Sequence, residues 1–123
     1  MQAGLMLTDE RISAMTSAGL WSNRTILDCL DEQLKSRPDQ VYVSDNNSTT
    51  QRSTSWSFRN IDLISRRIAV GLAQHGVAAG DVVAAQLPNW WEMLAVHLAC
   101  VRIGAITNPL MPIFRARELE FML

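Results

Sequence analysis

The chain has 123 residues, of which 48% are hydrophobic and 19% are charged, and its formal net charge is −1. That length suits one domain or part of a larger one, with enough buried surface for a core. Because there is no basic excess to neutralise phosphates, we expect no nucleic-acid partner. Polar residues interrupt the most apolar stretch, 93–114, so we expect no membrane span. Residues 1–6 lack the positive charge of a signal peptide, and we expect a cytoplasmic protein.

The first half of the chain predicts two helices and a hairpin. Residues 1–23 show no regular period and are predicted to be an irregular lead-in. Residues 25–37 predict a helix, because their apolar side chains fall on one face. A β-rich run at 41–43 precedes a Ser/Thr-rich segment at 48–55, which we predict to be a surface loop. Extended chain around Trp56 would complete a hairpin.

The helix at residues 58–75 is predicted from a stripe of apolar side chains at helical spacing. Ser57 is expected to cap its N-terminus, and Gly76 is expected to end it. Asp62 and Arg66 are placed to form an ion pair across one turn.

The second half predicts a strand at 82–87, a helix at 90–103 and a strand at 105–107. A strand, a helix and a strand in so few residues form a βαβ unit, which requires a parallel pair, and such crossovers are right-handed in about 98% of cases. The strands are apolar enough to be covered on both faces. The helix at 90–103 has almost no polar face, which predicts burial in a larger body. A last helix is predicted from Phe114.

The chain lacks the common signatures of phosphate loops, metal sites and nucleophile elbows. Cys29 and Cys100 show no zinc-ligand spacing, and we expect buried free thiols in a reducing compartment. His75 suits a helix C-terminus. His97 is interpreted as a satisfied histidine in a core or between domains, with a catalytic base as the alternative. The pair Trp90–Trp91 is interpreted as core packing, with stacking on a ligand ring as the alternative.

Several segments, taken in order, resemble one enzyme family. They are WSFR at 56–59, SRRIAVGLA at 65–73, GDVVAAQLPN at 80–89 and LACVRIGAITNPL at 98–110. This set is similar to the N-terminal region of the AMP-forming acyl-CoA synthetases, in the adenylate-forming superfamily. Residues 108–119 most resemble the cyclohexanecarboxylate–CoA ligase branch.

The resemblance implies an α/β fold, a partial three-layer domain that forms the first part of the large N-terminal domain of such an enzyme. Residues 24–123 would be an incomplete N-terminal subdomain. In the family a carboxylate attacks the α-phosphate of ATP, and the thiol of coenzyme A then displaces AMP. ATP, Mg²⁺ and coenzyme A are therefore implied for a full-length enzyme. The lysine-bearing phosphate loop and the other catalytic groups of the family follow this region, so no catalytic residue is assigned here.

The resemblance implies a binding role for one arginine of this chain. Some relatives contact the nucleotide phosphate of coenzyme A with an arginine after the Asn-Pro pair, and Arg115 or Arg117 could match it. The favoured alternative is a helix-surface ion pair between Arg117 and Glu120.

Two functions are open at this point. The chain could be an N-terminal fragment of a carboxylic acid–CoA ligase in fatty acid or alicyclic acid metabolism, inactive alone and partnered by the rest of the enzyme or by a second copy. It could instead be a stand-alone scaffold or interaction module that keeps part of the fold. The terminal helix carries Leu119, Met122 and Leu123 on one face, which predicts an unfinished apolar surface.

Overall fold

The structure, a computed structural model, describes residues 8–123. Five helices and four strands lie within that range. In chain order they are α1 Asp9–Ser17, α2 Ile26–Ser36, β1 Val41–Asn47, β2 Arg52–Ser57, α3 Phe58–Gln74, β3 Val82–Ala85, α4 Trp91–Ile103, β4 Ile106–Pro109 and α5 Ala116–Met122. The predicted α/β class is confirmed.

Helix α1 corrects the prediction that residues 1–23 are irregular, as far as the described residues reach. Thr8 accepts a hydrogen bond from the Arg11 backbone N–H (3.3 Å), and Asp9 and Glu10 occupy the first turn, where negative charge favours a helix. None of the helix residues is buried. A solvated helix needs no apolar stripe, which is why periodicity missed it. Residues 1–7 of the predicted lead-in lie outside the described residues.

Helix α2 confirms the helix predicted at 25–37 to within one residue at each end. Its N-terminus is a capping box, in which Thr25 and Asp28 satisfy each other's backbone N–H groups. The hairpin is confirmed as well, since β1 and β2 pair antiparallel.

The predicted loop at 48–55 is wrong over its second half, because β2 begins at Arg52. The turn is confined to residues 48–51. Serine and threonine remain in the strand because their hydroxyls find partners across it. Ser55 and Ser44 share a hydrogen bond of 2.7 Å, and the Thr54 hydroxyl donates to the Asp45 carboxylate.

Helix α3 confirms the helix predicted at 58–75. The Ser57 hydroxyl accepts from the Asn60 backbone N–H (3.2 Å), and Gly76 follows the helix with φ of 90°, a left-handed conformation that suits glycine. This helix supplies Ile61 to the main core cluster, whose buried members are Leu30, Phe58, Ile61 and Leu98.

The βαβ unit is confirmed in its parallel pairing. Strand β3 pairs with β4 from Val82 opposite Ile106 to Ala85 opposite Pro109. Helix α4 connects them and ends at Gly104, which has φ of 74° and where a Cβ atom would lie 3.0 Å from the Cβ of Ala79. The right-handed crossover stays a prediction.

Coverage of the sheet on both faces is not found among the described residues. Ala85 and Ala105 are buried, but Val82 is 62% exposed and Ile106 is 54% exposed. Within residues 8–123, helix α4 is therefore the one helix that packs on the sheet, and it covers one side.

Helix α4 is likewise buried on one side rather than all round. Ala95, Leu98, Ala99 and Cys100 are buried, whereas most other residues of the helix are half-buried and His97 is exposed. The two thiols also differ, since Cys100 is buried as predicted but Cys29 is exposed. Cys29 lies in the solvated first turns of α2, so the expectation that both thiols are buried is wrong for this one.

Candidate functional site

A cleft of about 580 Å³ opens beside the carboxyl ends of the two parallel strands. It is walled by strand β1, by the loop after β3, by the start of α4 and by β4. Its lining residues are Val43, Ser44, Asp45, Asn89, Trp90, Trp91, Met93, Leu94, His97, Thr107 and Pro109. Open α/β sheets bind ligands at this edge, so the cleft is the first place to examine for function.

Asp45 holds the start of helix α4 against the hairpin. Trp90 occupies the N-cap position without a side-chain hydrogen bond to the helix. The missing cap comes from a distant strand, because Asp45 Oδ2 accepts a hydrogen bond of 2.9 Å from the Trp91 backbone N–H. The same carboxylate accepts from the Thr54 hydroxyl. Asp45 is therefore engaged in linking two elements, and its charge faces the positive end of α4.

His97 lies at the edge of the cleft, where α4 faces β4. Its Nδ1 atom is 3.0 Å from the Thr107 hydroxyl oxygen. The side chain is exposed, so the expectation of a histidine in a core is wrong, and it bonds to Thr107 of the neighbouring strand. A position between domains stays a prediction. No carboxylate lies within hydrogen-bond distance of the His97 ring among residues 8–123, so no orienting acid supports a catalytic base there.

The aromatic wall of the cleft is a packing feature. The Trp91 ring packs against the Trp56 ring at a centroid distance of 5.1 Å and an angle of 58°. Trp91 also packs against the core cluster, which agrees with the predicted core role for this member of the pair. Trp90 is half-buried and lines the cleft. Within the described chain, the buried Trp56 Nε1 and Glu92 Oε2 atoms have no hydrogen-bond partner.

The cleft is lined by polar and apolar side chains, and no group of metal ligands lies among them. Within residues 8–123 no three side chains of the His, Cys, Asp or Glu types are grouped so that they could hold a metal ion. Asp45 and His97 are already hydrogen-bonded to other residues of the chain, and the rest of the wall is mainly apolar. Such a surface can pack against polypeptide or an apolar ligand. The absence of a catalytic residue from this chain stays a prediction.

Arg115 serves the segment before α5. Its guanidinium Nη1 donates to the Pro112 carbonyl (2.9 Å), and its backbone N–H donates to the Glu118 carboxylate (2.9 Å). The Gln86 amide at the end of β3 donates to two carbonyls of the same segment, those of Met111 (3.0 Å) and Phe114 (2.9 Å). This segment is therefore tethered to the carboxyl end of the sheet.

Arg117 is exposed and does not form the expected ion pair with Glu120 in the structure of residues 8–123. Both side chains lie on α5, which packs against no other helix or strand of that range. An exposed pair gains little from charge attraction and loses side-chain entropy, so its absence has a simple cause. A contact from either arginine to coenzyme A stays a prediction.

A buried ionic cluster between α3 and α4 was only half predicted. Asp62 accepts from Arg66 (2.9 Å), as the spacing indicated, and the hydrogen bond between them raises the pKa of Arg66. Asp62 also accepts from Arg102 of α4, whose Nε donates to the Ser65 hydroxyl (3.1 Å). The available signal was Arg102, a cation in the last turn of a mostly apolar helix, since a buried charge requires a partner.

Comparison with known proteins gives a consistent result. Residues 30–123 match the family model described as AMP-binding enzyme. The chain is 31% identical over its whole length to the medium-chain fatty-acid–CoA ligase of Escherichia coli, of which it covers 21%. It is 29% identical to the 2,3-dihydroxybenzoate–AMP ligase of Bacillus subtilis over 92% of this chain and 20% of that enzyme. The chain thus spans about a fifth of the length of each of these two enzymes.

Solved structures agree with the sequence matches. An acyl-CoA synthetase from Brucella canis superposes on 77% of this chain and 17% of its own, with a TM-score of 0.68 and 33% identity. The O-succinylbenzoate coenzyme A synthetase from Bacillus subtilis, solved in complex with AMP, superposes on 76% of this chain and 23% of its own, with a TM-score of 0.65 and 26% identity. None of the helices described between residues 8 and 123 is long and apolar enough to cross a membrane.

Proposed function

The chain belongs to the AMP-binding enzyme family, and we propose that it forms the N-terminal part of an ATP-dependent carboxylic acid–CoA ligase. One observation carries the proposal. The match to the medium-chain fatty-acid–CoA ligase runs over all 123 residues of this chain but takes up only 21% of that enzyme. The chain therefore corresponds to one continuous section of a ligase, with about four-fifths of such an enzyme outside it.

The role proposed for this section is structural. The described residues do not fit a site for ATP or Mg²⁺, because they contain neither a glycine-rich phosphate loop nor a group of metal ligands. Arg115 already bonds to the Pro112 carbonyl. ATP, Mg²⁺ and coenzyme A are therefore assigned to the remainder of the enzyme. This section supplies the α3–α4 layer and the parallel pair on which that remainder folds.

The proposal includes a substrate class and a location. A medium-chain fatty acid or an alicyclic acid is favoured as the substrate. One relative matched over the whole chain is a medium-chain fatty-acid–CoA ligase, and residues 108–119 resemble the cyclohexanecarboxylate–CoA ligase branch. A cytoplasmic location is supported by the two free cysteines, one of them exposed, because a reducing compartment keeps such thiols free.

A chimaera tests the function. This chain replaces the matching fifth of the Escherichia coli medium-chain ligase, and ATP–pyrophosphate exchange is measured with a panel of carboxylic acids. We expect exchange that requires a medium-chain or alicyclic acid. We also expect no exchange from the isolated chain, because it lacks the phosphate loop. The control is the Escherichia coli ligase without this fifth.

Two results would contradict the proposal. Acid-dependent exchange by the isolated chain would show that it carries a catalytic site of its own. A folded chimaera without exchange for any acid would favour the alternative, a scaffold that keeps part of the ligase fold without serving in a ligase.

A further inference from the structure

We draw no further inference here: the strongest candidate, the cleft of about 580 Å³ bounded by strand β1, the start of helix α4 and strand β4, is the candidate site already described, and nothing in the structure shows what occupies it.

Discussion

The α3–α4 layer and the β3–β4 sheet share helix α4, but they differ in how much of their apolar surface the described residues bury. Between the helices, Ile61 and Leu98 are fully buried, and Arg102 bonds to Asp62 across the interface. On the far side of the sheet, Val82 is more than half exposed. The helical layer therefore has its partners within the chain, whereas the sheet does not. We infer that the stability of the isolated chain comes from the first region and its association from the second.

Arg102→Ala is predicted to cause the largest loss of unfolding free energy, because it acts in the α3–α4 layer. Asp62 is 8% exposed, and loss of Arg102 would leave its carboxylate with Arg66 as its remaining charged partner. Removing one member of a buried ion pair costs about 3–5 kcal/mol. That cost applies to a charge left unpaired, and Arg66 still pairs with Asp62, so urea unfolding of the isolated chain should show a loss near the lower end of that range.

Arg59→Ala is the matched control for that measurement. Arg59 pairs with Asp39 at 2.9 Å, but both side chains are more than half exposed. Water and salt screen such a pair, so its removal should change the unfolding midpoint little. Similar midpoints for the Arg102 and Arg59 variants would contradict the view that the helical layer carries the stability.

Leu98→Ala should come next in size. The side chain is fully buried and belongs to the core cluster with Leu30, Phe58 and Ile61. Loss of the leucine side chain removes apolar burial and leaves a cavity, at a cost of about 3 kcal/mol. Val70→Ala, at a position of α3 that is 57% exposed, should stay within about 0.5 kcal/mol of the wild type. If the two variants unfold at the same urea concentration, the core is not where the structure places it.

Local signals explain which parts of the fold could be predicted from sequence. Helix α3 and its N-cap were predicted correctly because the hydrogen bonds of the cap join Ser57 and Asn60, which are only three residues apart. The partners of Arg102 lie about forty positions earlier, and those of the Trp91 N–H lie 46 positions earlier. These hydrogen-bond partners depend on how the helices and strands pack together, so they cannot be predicted from short stretches of sequence.

The errors about the sheet have a different origin. The apolar composition of β3 and β4 predicted strands covered on both faces, yet Val82 and Ile106 are exposed in this chain. The apolar composition of these strands suits the full-length ligase of the proposed function, in which polypeptide outside this chain can lie against them. The candidate cleft was missed for a related reason, since the pairing of His97 with Thr107 depends on where α4 crosses β4.

Asp45→Asn tests the link between the hairpin and the βαβ unit. The substitution keeps an oxygen that can accept from the Trp91 N–H but removes the negative charge at the start of α4. Loss of the charge alone, with the cap hydrogen bond kept, costs about 0.3–1 kcal/mol, which is smaller than the two effects above. Asp31→Asn, on the solvated surface of α2, is the control and should be nearly neutral in the same urea titration. Equal stability of the two variants would mean that the negative charge of Asp45 does not stabilise the start of α4.

The smallest predicted effect is a pH dependence at the solvent-exposed start of α2, outside the α3–α4 ion pair and the β3–β4 sheet. Asp28 accepts hydrogen bonds from the Thr25 backbone N–H (2.6 Å) and hydroxyl (3.0 Å), and these bonds, the backbone one first, lower the pKa of Asp28 below its ordinary value. A carboxyl that is more acidic when folded binds fewer protons in the folded state, so its contribution raises stability with pH. That contribution is complete above the unfolded pKa of about 3.9 and is lost as the pH falls through the folded pKa.

Melting temperatures between about pH 6 and pH 2 should therefore fall more steeply on acidification for the wild type than for Asp28→Asn. The Asp39 carboxyl, whose pKa is lowered by Arg59, contributes in the same direction, but it is present in both proteins and cancels in the difference. Thr25→Val keeps the backbone N–H and should retain most of the wild-type slope. Parallel profiles for the wild type and Asp28→Asn would show that the capping box contributes no pH-dependent stability. A difference confined to the region below about pH 4 would show that this exposed helix end responds to pH through its own cap alone.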